Sequence, residues 1–309
     1  MRLTHLISTK QLLQDKRGIL DMFERADALR RAHEANDIPH SLKDKLLATL
    51  FYEPSTRTRF SFESAMLRLG GEVMSTESAG HFSSAIKGES LEDTVRIISG
   101  YADAIVLRHP EVGAAKRAAA VCPVPLINAG DGSGEHPTQA LLDLYTIQKE
   151  QGTLKGFSIA LIGDLLYGRT IHSLIHLLSL CEDITVYLCA PDELSLPAEQ
   201  EQFLKEHNIA FHQETTLENV LPKVDIVYMT RIQKERFTAL ALYEKIKDRF
   251  LLKKPHLELM KKHTVIMHPL PRLNEIDPAI DADPRAAYFR QARHGLYLRM
   301  ALLEKMLTP

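Results

Sequence analysis

Short apolar runs rich in β-branched residues alternate with amphipathic stretches along the whole chain, and this alternation limits the possible folds most. In the first half the runs fall at residues 45–52, 72–75, 104–108 and 124–128. In the second half they fall at residues 157–163, 184–189, 224–229 and 264–267. Strands that alternate with helices are typical of β-α units, which build parallel sheets. The sequence therefore predicts an α/β fold in which each half has a parallel sheet flanked by helices.

Helices are expected between these strands and at the end of the chain. One is expected to begin at Ser90, where the spacing of the first residues resembles a capping box, and to carry Ile97 and Ile98 on its apolar face. Two more are expected over residues 137–150 and 286–307, the second with apolar residues at the spacing of one buried helix face.

Length and two glycines predict a division into two domains. The 309 residues exceed the roughly 250 to 300 residues at which a single hydrophobic core stops growing. Gly152 and Gly156 interrupt the pattern just before a new strand. The first domain is therefore expected over residues 1–151 and the second over 152–285, with the functional site in the cleft between them. The final helix, 286–309, is expected to pack back on the first domain.

Charge and hydropathy exclude two classes of partner. A formal net charge of -2 and the lack of any block of Lys and Arg remove the electrostatic footprint that nucleic-acid binding needs. No apolar run is long enough to span a bilayer, and the N-terminus has no continuous hydrophobic region, so a cytosolic protein without membrane partners is expected. Cys122, Cys181 and Cys189 form no Cys-x-x-Cys pair and are interpreted as reduced core residues.

Polar residues cluster where the strand at 45–52 meets the next helix. This cluster contains Ser55, Thr56, Arg57 and Thr58. The start of a helix offers N–H groups without an intrahelical partner and the positive end of the helix dipole, to which hydroxyls and a guanidinium add further donors. The pattern therefore favours a phosphate-binding site. The alternative is that Ser55 only caps the helix and the arginine is a solvated surface charge.

Two further polar clusters follow predicted strands. Arg108 ends the strand at 104–108, where the ligand-binding groups of α/β proteins usually lie. His136 and Gln139 follow a glycine-rich loop at 130–134, expected to be flexible, and lie one turn apart at the start of a helix. His136 could donate a hydrogen bond to a carbonyl oxygen, although a histidine in such a loop is as often structural.

Two patterns in the second half suggest other chemistry. Residues 163–170 have the spacing of a P-loop, but bulky residues stand where the backbone should wrap phosphates, and Arg169 replaces the lysine. A nucleotide-binding protein is thus the alternative from a different class, while Arg169 itself is interpreted as a carboxylate clamp. His172 and His176 have the spacing of zinc ligands but lack the expected glutamate and a third ligand, so no metal is expected.

Six motifs that span nearly the whole chain resemble, in order, those of the aspartate/ornithine carbamoyltransferase family. They lie at residues 51–63, 87–90, 108–110, 136–139, 231–236 and 268–272. The last reads His-Pro-Leu-Pro-Arg and is similar to the aspartate branch, whereas the ornithine branch usually has His-Cys-Leu-Pro. The resemblance implies transfer of the carbamoyl group of carbamoyl phosphate to the α-amine of L-aspartate, in de novo pyrimidine (UMP) biosynthesis.

The resemblance also implies a role for individual residues. Carbamoyl phosphate would be bound by Ser55, Thr56, Arg57, Thr58, Ser83, Arg108, His136, Gln139, Leu270 and Pro271. The residues implied to be catalytic are Arg57, Thr58, Arg108 and His136. The two carboxylates of aspartate would be held by Lys87, Arg169, Arg231 and Gln233. Glu53 would pair with Arg169 and Arg236 as the domains close.

The partners follow from the same resemblance. In the family, Ser83 and Lys87 come from a neighbouring subunit, so a homotrimer with shared active sites is expected, and an association with regulatory chains stays open. No cofactor and no metal are expected, because phosphate is a good leaving group that can itself accept the amine proton. The acceptor could instead be a different amine such as ornithine, which the cationic acceptor set disfavours. The last alternative is a catalytically inactive regulatory homologue, which predicts a gap in this set of site residues, and the sequence has none.

Overall fold

The computed structural model describes residues 4–77, 79, 87–232, 243–244, 246 and 248–308. Contacts group the chain into two compact units, one formed by Met1–Leu142 with Arg293–Pro309 and the other by Asp143–Ala292. The domain boundaries expected after residues 151 and 285, and the cleft between the domains, stay predictions. Among the described residues, no helix is both long enough and apolar enough to cross a membrane.

The first unit contains a five-stranded parallel sheet. Its strands are β1 (His5–Leu6), β2 (Leu46–Phe51), β3 (Glu72–Glu77), β4 (Ala104–His109) and β5 (Leu126–Asp131). They lie in the order β1-β5-β4-β2-β3, and each neighbouring pair is parallel. Helices of this unit include α1 (Lys16–Glu34), α2 (Thr56–Arg68), α3 (Leu91–Ile98) and α4 (Ala114–Val121). The sheet predicted for the first half of the chain is confirmed.

Helix α3 confirms its predicted start and one of its two predicted apolar residues, because Ile98 packs against the core of the first sheet. Ser90 is its N-cap and accepts a hydrogen bond from the Asp93 N–H at 3.1 Å, as its spacing predicts. The buried face carries Leu91 and Val95, four residues apart, which pack in the core with β2 and β4. Ile97 lies on the other side of the helix and is 47% exposed, so its predicted place on the apolar face is wrong.

The second unit contains a second five-stranded parallel sheet. Its strands are β6 (Ser158–Ile162), β7 (Thr185–Cys189), β8 (Ala210–Glu214), β9 (Ile226–Met229) and β10 (Val265–Met267). Their order is β10-β9-β6-β7-β8, again with parallel neighbours. Further α-helices are α5 (Pro137–Gln151), α6 (Arg169–Leu178), α7 (Ala198–Glu206), α8 (Leu217–Val220) and α9 (Tyr288–Leu307).

Buried apolar runs made the central strands predictable. The residues of β4 and β6 are almost all buried, as expected for parallel strands that are covered on both faces. Cys122 and Cys189 are buried free thiols. Cys181 is only partly buried and packs at the margin of a core, which corrects its interpretation as a core residue. The C-terminal part of α9 lies in the first unit, where Glu304 pairs with Arg25 at 2.6 Å.

Candidate active site

Three adjacent strands bring the candidate residues of the first unit to one edge of its sheet. Strand β2 ends just before Ser55, and its Phe51 is in register with Arg108 of β4. Strand β5, the other neighbour of β4, leads to His136 and Gln139. Because all three strands are parallel, their carboxyl ends lie at the same edge, the usual place for a ligand in such sheets.

The polar cluster occupies the start of α2, as predicted. Ser55 takes the N-cap position, but its side chain makes no capping hydrogen bond. The interpretation of Ser55 as a simple cap is therefore not supported, and its hydroxyl is available for another acceptor. Thr58 is buried, whereas Thr56 and Arg57 are exposed. Partial desolvation lowers the pKa of Arg57, which nevertheless stays cationic because a guanidinium does not lose its proton in proteins.

Arg108 is a buried cation at the end of β4. It is 8% exposed, and its Nη1 donates a hydrogen bond to the carbonyl oxygen of Ala129 at 3.3 Å. Its Nη2 lies 3.1 Å from the Oε2 atom of Glu53. Glu53 thus pairs with Arg108 in this structure, and its expected pairing with Arg169 and Arg236 on closure stays a prediction. A buried guanidinium that is paired with a carboxylate is well suited to exchange that partner for an anionic ligand.

The loop before α5, which is predicted to be flexible from its glycines, is joined by hydrogen bonds to the side chain of Asp131, which is 6% exposed. Asp131 accepts from the Glu135 N–H at 2.8 Å through Oδ1 and from the Gly113 N–H at 2.9 Å through Oδ2. Gly132 has a φ of 54°, and a Cβ there would clash with the Pro110 carbonyl oxygen. The sequence analysis missed Asp131, although an aspartate beside turn glycines is a common turn signal.

The loop that Asp131 holds leads directly to His136 and Gln139. The two residues are 4% and 8% exposed, and the Gln139 N–H donates to the His136 carbonyl oxygen at 3.0 Å. Buried polar side chains at the carboxyl edge of a sheet have few conformations to lose on binding a ligand, which favours preorganised hydrogen bonding.

In the second unit, the described candidates follow the ends of β6, β9 and β10. Arg169 is the first residue of α6, after β6, and Arg231 follows β9. Gly163 has a φ of 113°, and a Cβ there would clash with the carbonyl oxygen of Thr230, so only glycine allows the ends of β6 and β9 to approach so closely. Both arginines are partly buried at the same edge of the sheet.

Leu270 and Pro271 form the turn that follows β10. Leu270 has a φ of 57°, a left-handed conformation that costs a non-glycine residue about 1 to 2 kcal/mol. The Leu270 N–H donates to Nδ1 of His268 at 2.8 Å.

Lys87 is an exposed residue of the first unit. The other predicted site residues, Ser83, Gln233 and Arg236, lie outside the described residues.

The structure argues against the P-loop interpretation of residues 163–170. Leu165 of the P-loop-like segment is fully buried in the core, and Leu166 and Tyr167 pack against a neighbouring apolar cluster, so these side chains do not frame a phosphate loop. His172 bonds the Leu165 carbonyl oxygen at 2.8 Å, and His176 packs on Phe203. Within the described ranges, no group of three or more His, Cys, Asp or Glu residues could hold a metal ion.

Comparisons with known proteins match the two parts of the chain to two domains of one family. Residues 4–149 match the carbamoyl-P binding domain of aspartate/ornithine carbamoyltransferase, and residues 155–306 match its Asp/Orn binding domain. The chloroplastic aspartate carbamoyltransferase of Oryza sativa subsp. japonica is 50% identical over 100% of this chain and 86% of that protein.

Two solved structures are similar along nearly the whole chain. The catalytic subunit of M. jannaschii aspartate transcarbamoylase is 49% identical, with a TM-score of 0.91 over 99% of this chain and 98% of that one. Aspartate transcarbamoylase from Trypanosoma cruzi, in complex with carbamoyl phosphate and aspartate, is 40% identical, with a TM-score of 0.93 over 99% of this chain and 97% of that one. This chain therefore belongs to the aspartate/ornithine carbamoyltransferase family.

Proposed function

We propose that the chain transfers the carbamoyl group of carbamoyl phosphate to the α-amine of L-aspartate, which gives N-carbamoyl-L-aspartate and phosphate. The observation that carries this proposal is the edge of the first sheet, where the start of α2, buried Arg108 and buried His136 follow three adjacent strands. In the Trypanosoma cruzi relative, which is solved with both substrates, the same fold serves this reaction. The product commits carbamoyl phosphate to pyrimidine synthesis.

The phosphate group is bound at the start of α2. The N–H groups of its first turn have no partner within the helix, and the hydroxyls of Ser55, Thr56 and Thr58 add donors at the same point. Arg57 contributes a cation and the fork of N–H groups that matches phosphate oxygens. Arg108 completes the set when the phosphate replaces the Glu53 carboxylate that now lies 3.1 Å away.

Catalysis consists of orienting the reactants and stabilising charge on the carbamoyl oxygen. The aspartate amine attacks the carbamoyl carbon, a C–N bond forms, and the carbonyl electrons move to oxygen, where Arg108, Thr58 and His136 donate hydrogen bonds. The electron pair on the oxygen then re-forms the carbonyl, the bond between the carbamoyl carbon and the bridging oxygen breaks, and the departing phosphate takes the amine proton. Gln139 and the backbone of Leu270 and Pro271 hold the carbamoyl amino group. No protein nucleophile is needed in this sequence.

The acceptor is an anion because the residues assigned to it are cationic or neutral donors. Arg169 and Arg231 follow neighbouring strands, β6 and β9, and are assigned to the two carboxylates of aspartate together with Lys87 and Gln233. Each guanidinium can pair with one carboxylate through two hydrogen bonds. A cationic amine such as ornithine would be repelled by the same set, which favours aspartate as the acceptor.

We further propose that the active enzyme is a homotrimer in which Ser83 and Lys87 serve the neighbouring subunit. Two observations support this arrangement. Strand β3 is an edge strand of the first sheet, and the side chains of Phe60, Leu67 and Met74 on α2 and β3 are exposed by 53%, 58% and 36%. Exposed apolar side chains beside a sheet edge are typical of a surface that another chain covers.

The reaction is tested by incubating purified protein with carbamoyl phosphate and either L-aspartate or L-ornithine, in the presence of a chelator. Phosphate release and the mass of the product are measured together. We expect carbamoyl-aspartate with aspartate only, and full activity in chelator. A folded protein that carbamoylates ornithine, or that turns over neither amine, would refute the proposed acceptor or the reaction itself.

A further inference from the structure

A buried histidine and glutamate close the turn that follows β10. His268 and Glu275 are 2% and 5% exposed, and the histidine Nε2 lies 2.8 Å from the glutamate Oε1. These two residues stand at opposite ends of the turn that contains Leu270 and Pro271. Burying such a pair costs desolvation free energy unless every polar atom has a hydrogen-bond partner. A buried pair next to an irregular turn is therefore a candidate for a specific structural role.

The hydrogen bonds assign both the tautomer and the charge of this pair. Nδ1 of His268 accepts from the Leu270 N–H at 2.8 Å, so the ring proton belongs on Nε2, which donates to Glu275. The second oxygen of Glu275 accepts from the Leu273 N–H at 3.0 Å. Burial alone would raise the pKa of Glu275, but the hydrogen bonds outweigh it and the pKa lies below its usual value. The glutamate is therefore a carboxylate.

The backbone of His268 is itself held by a buried polar chain. Its N–H donates to Gln291 Oε1 at 2.9 Å, and Gln291 Nε2 donates to Asp143 Oδ1 at 2.6 Å. The other oxygen of Asp143 accepts from the Tyr228 hydroxyl at 2.7 Å. Residues of α9, α5 and β9 thus fix the end of β10 from which the imidazole extends, so the imidazole is supported by rigid elements rather than by the turn alone.

The imidazole supports a residue of the turn whose backbone conformation is unfavourable. Leu270 has a φ of 57°, a region that a leucine occupies only when its surroundings impose it. The bond from the Leu270 N–H to His268 Nδ1 fixes the peptide on the N-terminal side of this residue. The bond from the Leu273 N–H to Glu275 fixes the other end of the turn. The direction of the Leu270 carbonyl is set between these two points.

We propose that His268 and Glu275 are positioning residues for carbamoyl transfer, which fix the Leu270 peptide so that its carbonyl oxygen accepts a hydrogen bond from the carbamoyl amino group. This role rests on the reaction proposed above. Neither side chain needs to touch the substrate. The hydrogen bond from the Leu270 N–H to the imidazole fixes the position of the Leu270 backbone, which in turn contacts the substrate. The pair affects the rate through the orientation of carbamoyl phosphate. A misplacement of the reacting group by about 1 Å can lower the rate by about a hundredfold.

Two substitutions of the histidine separate its two hydrogen bonds. In His268→Asn the amide oxygen lies near the position of Nδ1 and can still accept from Leu270, but the contact to Glu275 is lost. In His268→Gln the longer amide can still donate to Glu275, but no acceptor remains for the Leu270 N–H. We expect kcat to fall about tenfold or more in His268→Gln and much less in His268→Asn.

Thermal stability is expected to follow the opposite order. His268→Asn leaves a buried carboxylate oxygen without its donor, which costs more than a backbone N–H without its acceptor. A histidine that only satisfied a buried charge would make His268→Asn the worse variant in both measurements. Opposite orders for kcat and for the melting temperature would support positioning, whereas the same order would overturn it.

Acetyl phosphate supplies a chemical control, because it carries a methyl group where carbamoyl phosphate has its amino group. The Michaelis constant for carbamoyl phosphate is compared with the inhibition constant of acetyl phosphate as its competitor. We expect the preference for carbamoyl phosphate to fall about threefold to tenfold in His268→Gln while the affinity for acetyl phosphate is unchanged. A general loosening of the fold would weaken both ligands equally and would overturn the proposal.

Failure of this inference is distinguishable from failure of the proposed reaction. A wild-type protein that forms no carbamoyl-aspartate refutes the reaction itself. An active wild type whose His268→Gln variant keeps its kcat and its preference for carbamoyl phosphate refutes only the positioning role. If His268→Gln does not fold, the same measurements are made on Glu275→Gln. That variant keeps one oxygen that can accept from the imidazole but loses the acceptor for the Leu273 N–H. It is expected to show the same loss of preference at smaller size, and an unchanged preference would refute the proposal.

Discussion

The two units place their candidate residues at equivalent edges of similar sheets, but they assemble them differently. In the first unit four donors are consecutive, from Ser55 to Thr58, because the start of α2 gathers them. In the second, Arg169 and Arg231 follow two separate strands, β6 and β9, which are neighbours only because of the order of the strands in the sheet. A phosphate can be bound by one helix start, whereas a dicarboxylate needs charges brought from distant points of the chain.

The largest expected effect tests the consecutive donors of the first unit. Arg57→Ala removes the cation at the start of α2, and we expect kcat to fall by about a hundredfold to a thousandfold, since charge-stabilising donors of this kind have effects of that size. Arg68→Ala, an exposed arginine at the end of the same helix, is the matched control and should stay near wild type. Ordinary turnover by a correctly folded Arg57→Ala protein would remove the phosphate assignment.

A mixing experiment tests whether the first unit is complete in one chain. Lys87→Ala and Arg57→Ala should each be nearly inactive alone. The two variants are mixed in equal amounts and their subunits are allowed to exchange. If Lys87 serves the neighbouring subunit of a trimer, about a quarter of the sites then have both residues intact, and about a quarter of wild-type activity returns. The control mixes each variant with itself through the same cycle of dissociation. No recovery after proven exchange would place Lys87 in its own subunit's site or outside it.

The separated cations of the second unit should govern the acceptor. We expect Arg231→Ala to raise the Michaelis constant for aspartate by about tenfold to a hundredfold, the value of one charged hydrogen bond, with little change in carbamoyl phosphate binding. Steady-state kinetics at varied concentrations of each substrate measure both constants. If Arg231→Ala instead weakened carbamoyl phosphate, the assignment of one substrate to each set of residues would be wrong.

Glu53 offers a test of phosphate binding with a smaller expected effect. Its carboxylate pairs with the Arg108 guanidinium, which is also the group that the phosphate is proposed to bind. Removing its charge in Glu53→Gln abolishes the 3.1 Å ion pair with Arg108. We expect carbamoyl phosphate to bind about threefold more tightly, in line with the value of a partly exposed ion pair. Calorimetric titration of the protein with carbamoyl phosphate measures this change, and weaker binding would show that Glu53 orients Arg108 rather than competing for it.

The central strands and the donor cluster were predictable because each is encoded by neighbours in the sequence. Strand β8 was missed, since it is an edge strand of mostly exposed residues and has no apolar run. Strand β1 has only two residues and is defined by its pairing with β5. Asp131 and Glu275 were missed for a related reason, as a buried carboxylate is recognised by donors that folding brings to it.

The smallest expected effect concerns the opposite, amino-terminal edges of the two sheets, where the units are again alike. Asp225 precedes β9 and accepts from the Ser158 N–H at 2.8 Å and from Lys261 Nζ at 2.8 Å. Asp103 precedes β4 and accepts from the Leu46 N–H at 2.8 Å and from Lys45 Nζ at 3.0 Å. In both, burial would raise the pKa of the carboxyl, but the hydrogen bonds outweigh it and the pKa is lowered, most strongly in Asp225.

A carboxyl whose pKa is lowered by folding stabilises the native state above its unfolded pKa of about 3.9, and this stabilisation is lost as the pH falls through the folded value. Asp225→Asn should therefore lower the melting temperature at pH 7 by a few degrees, and Asp103→Asn by less, because its pKa is less perturbed and its side chain is 33% exposed. Thermal unfolding followed by circular dichroism from pH 7 to pH 3 measures both differences. The differences in melting temperature between wild type and each variant should become smaller below about pH 4. A difference that becomes larger in acid would mean that the ionised carboxyls do not stabilise the sheets.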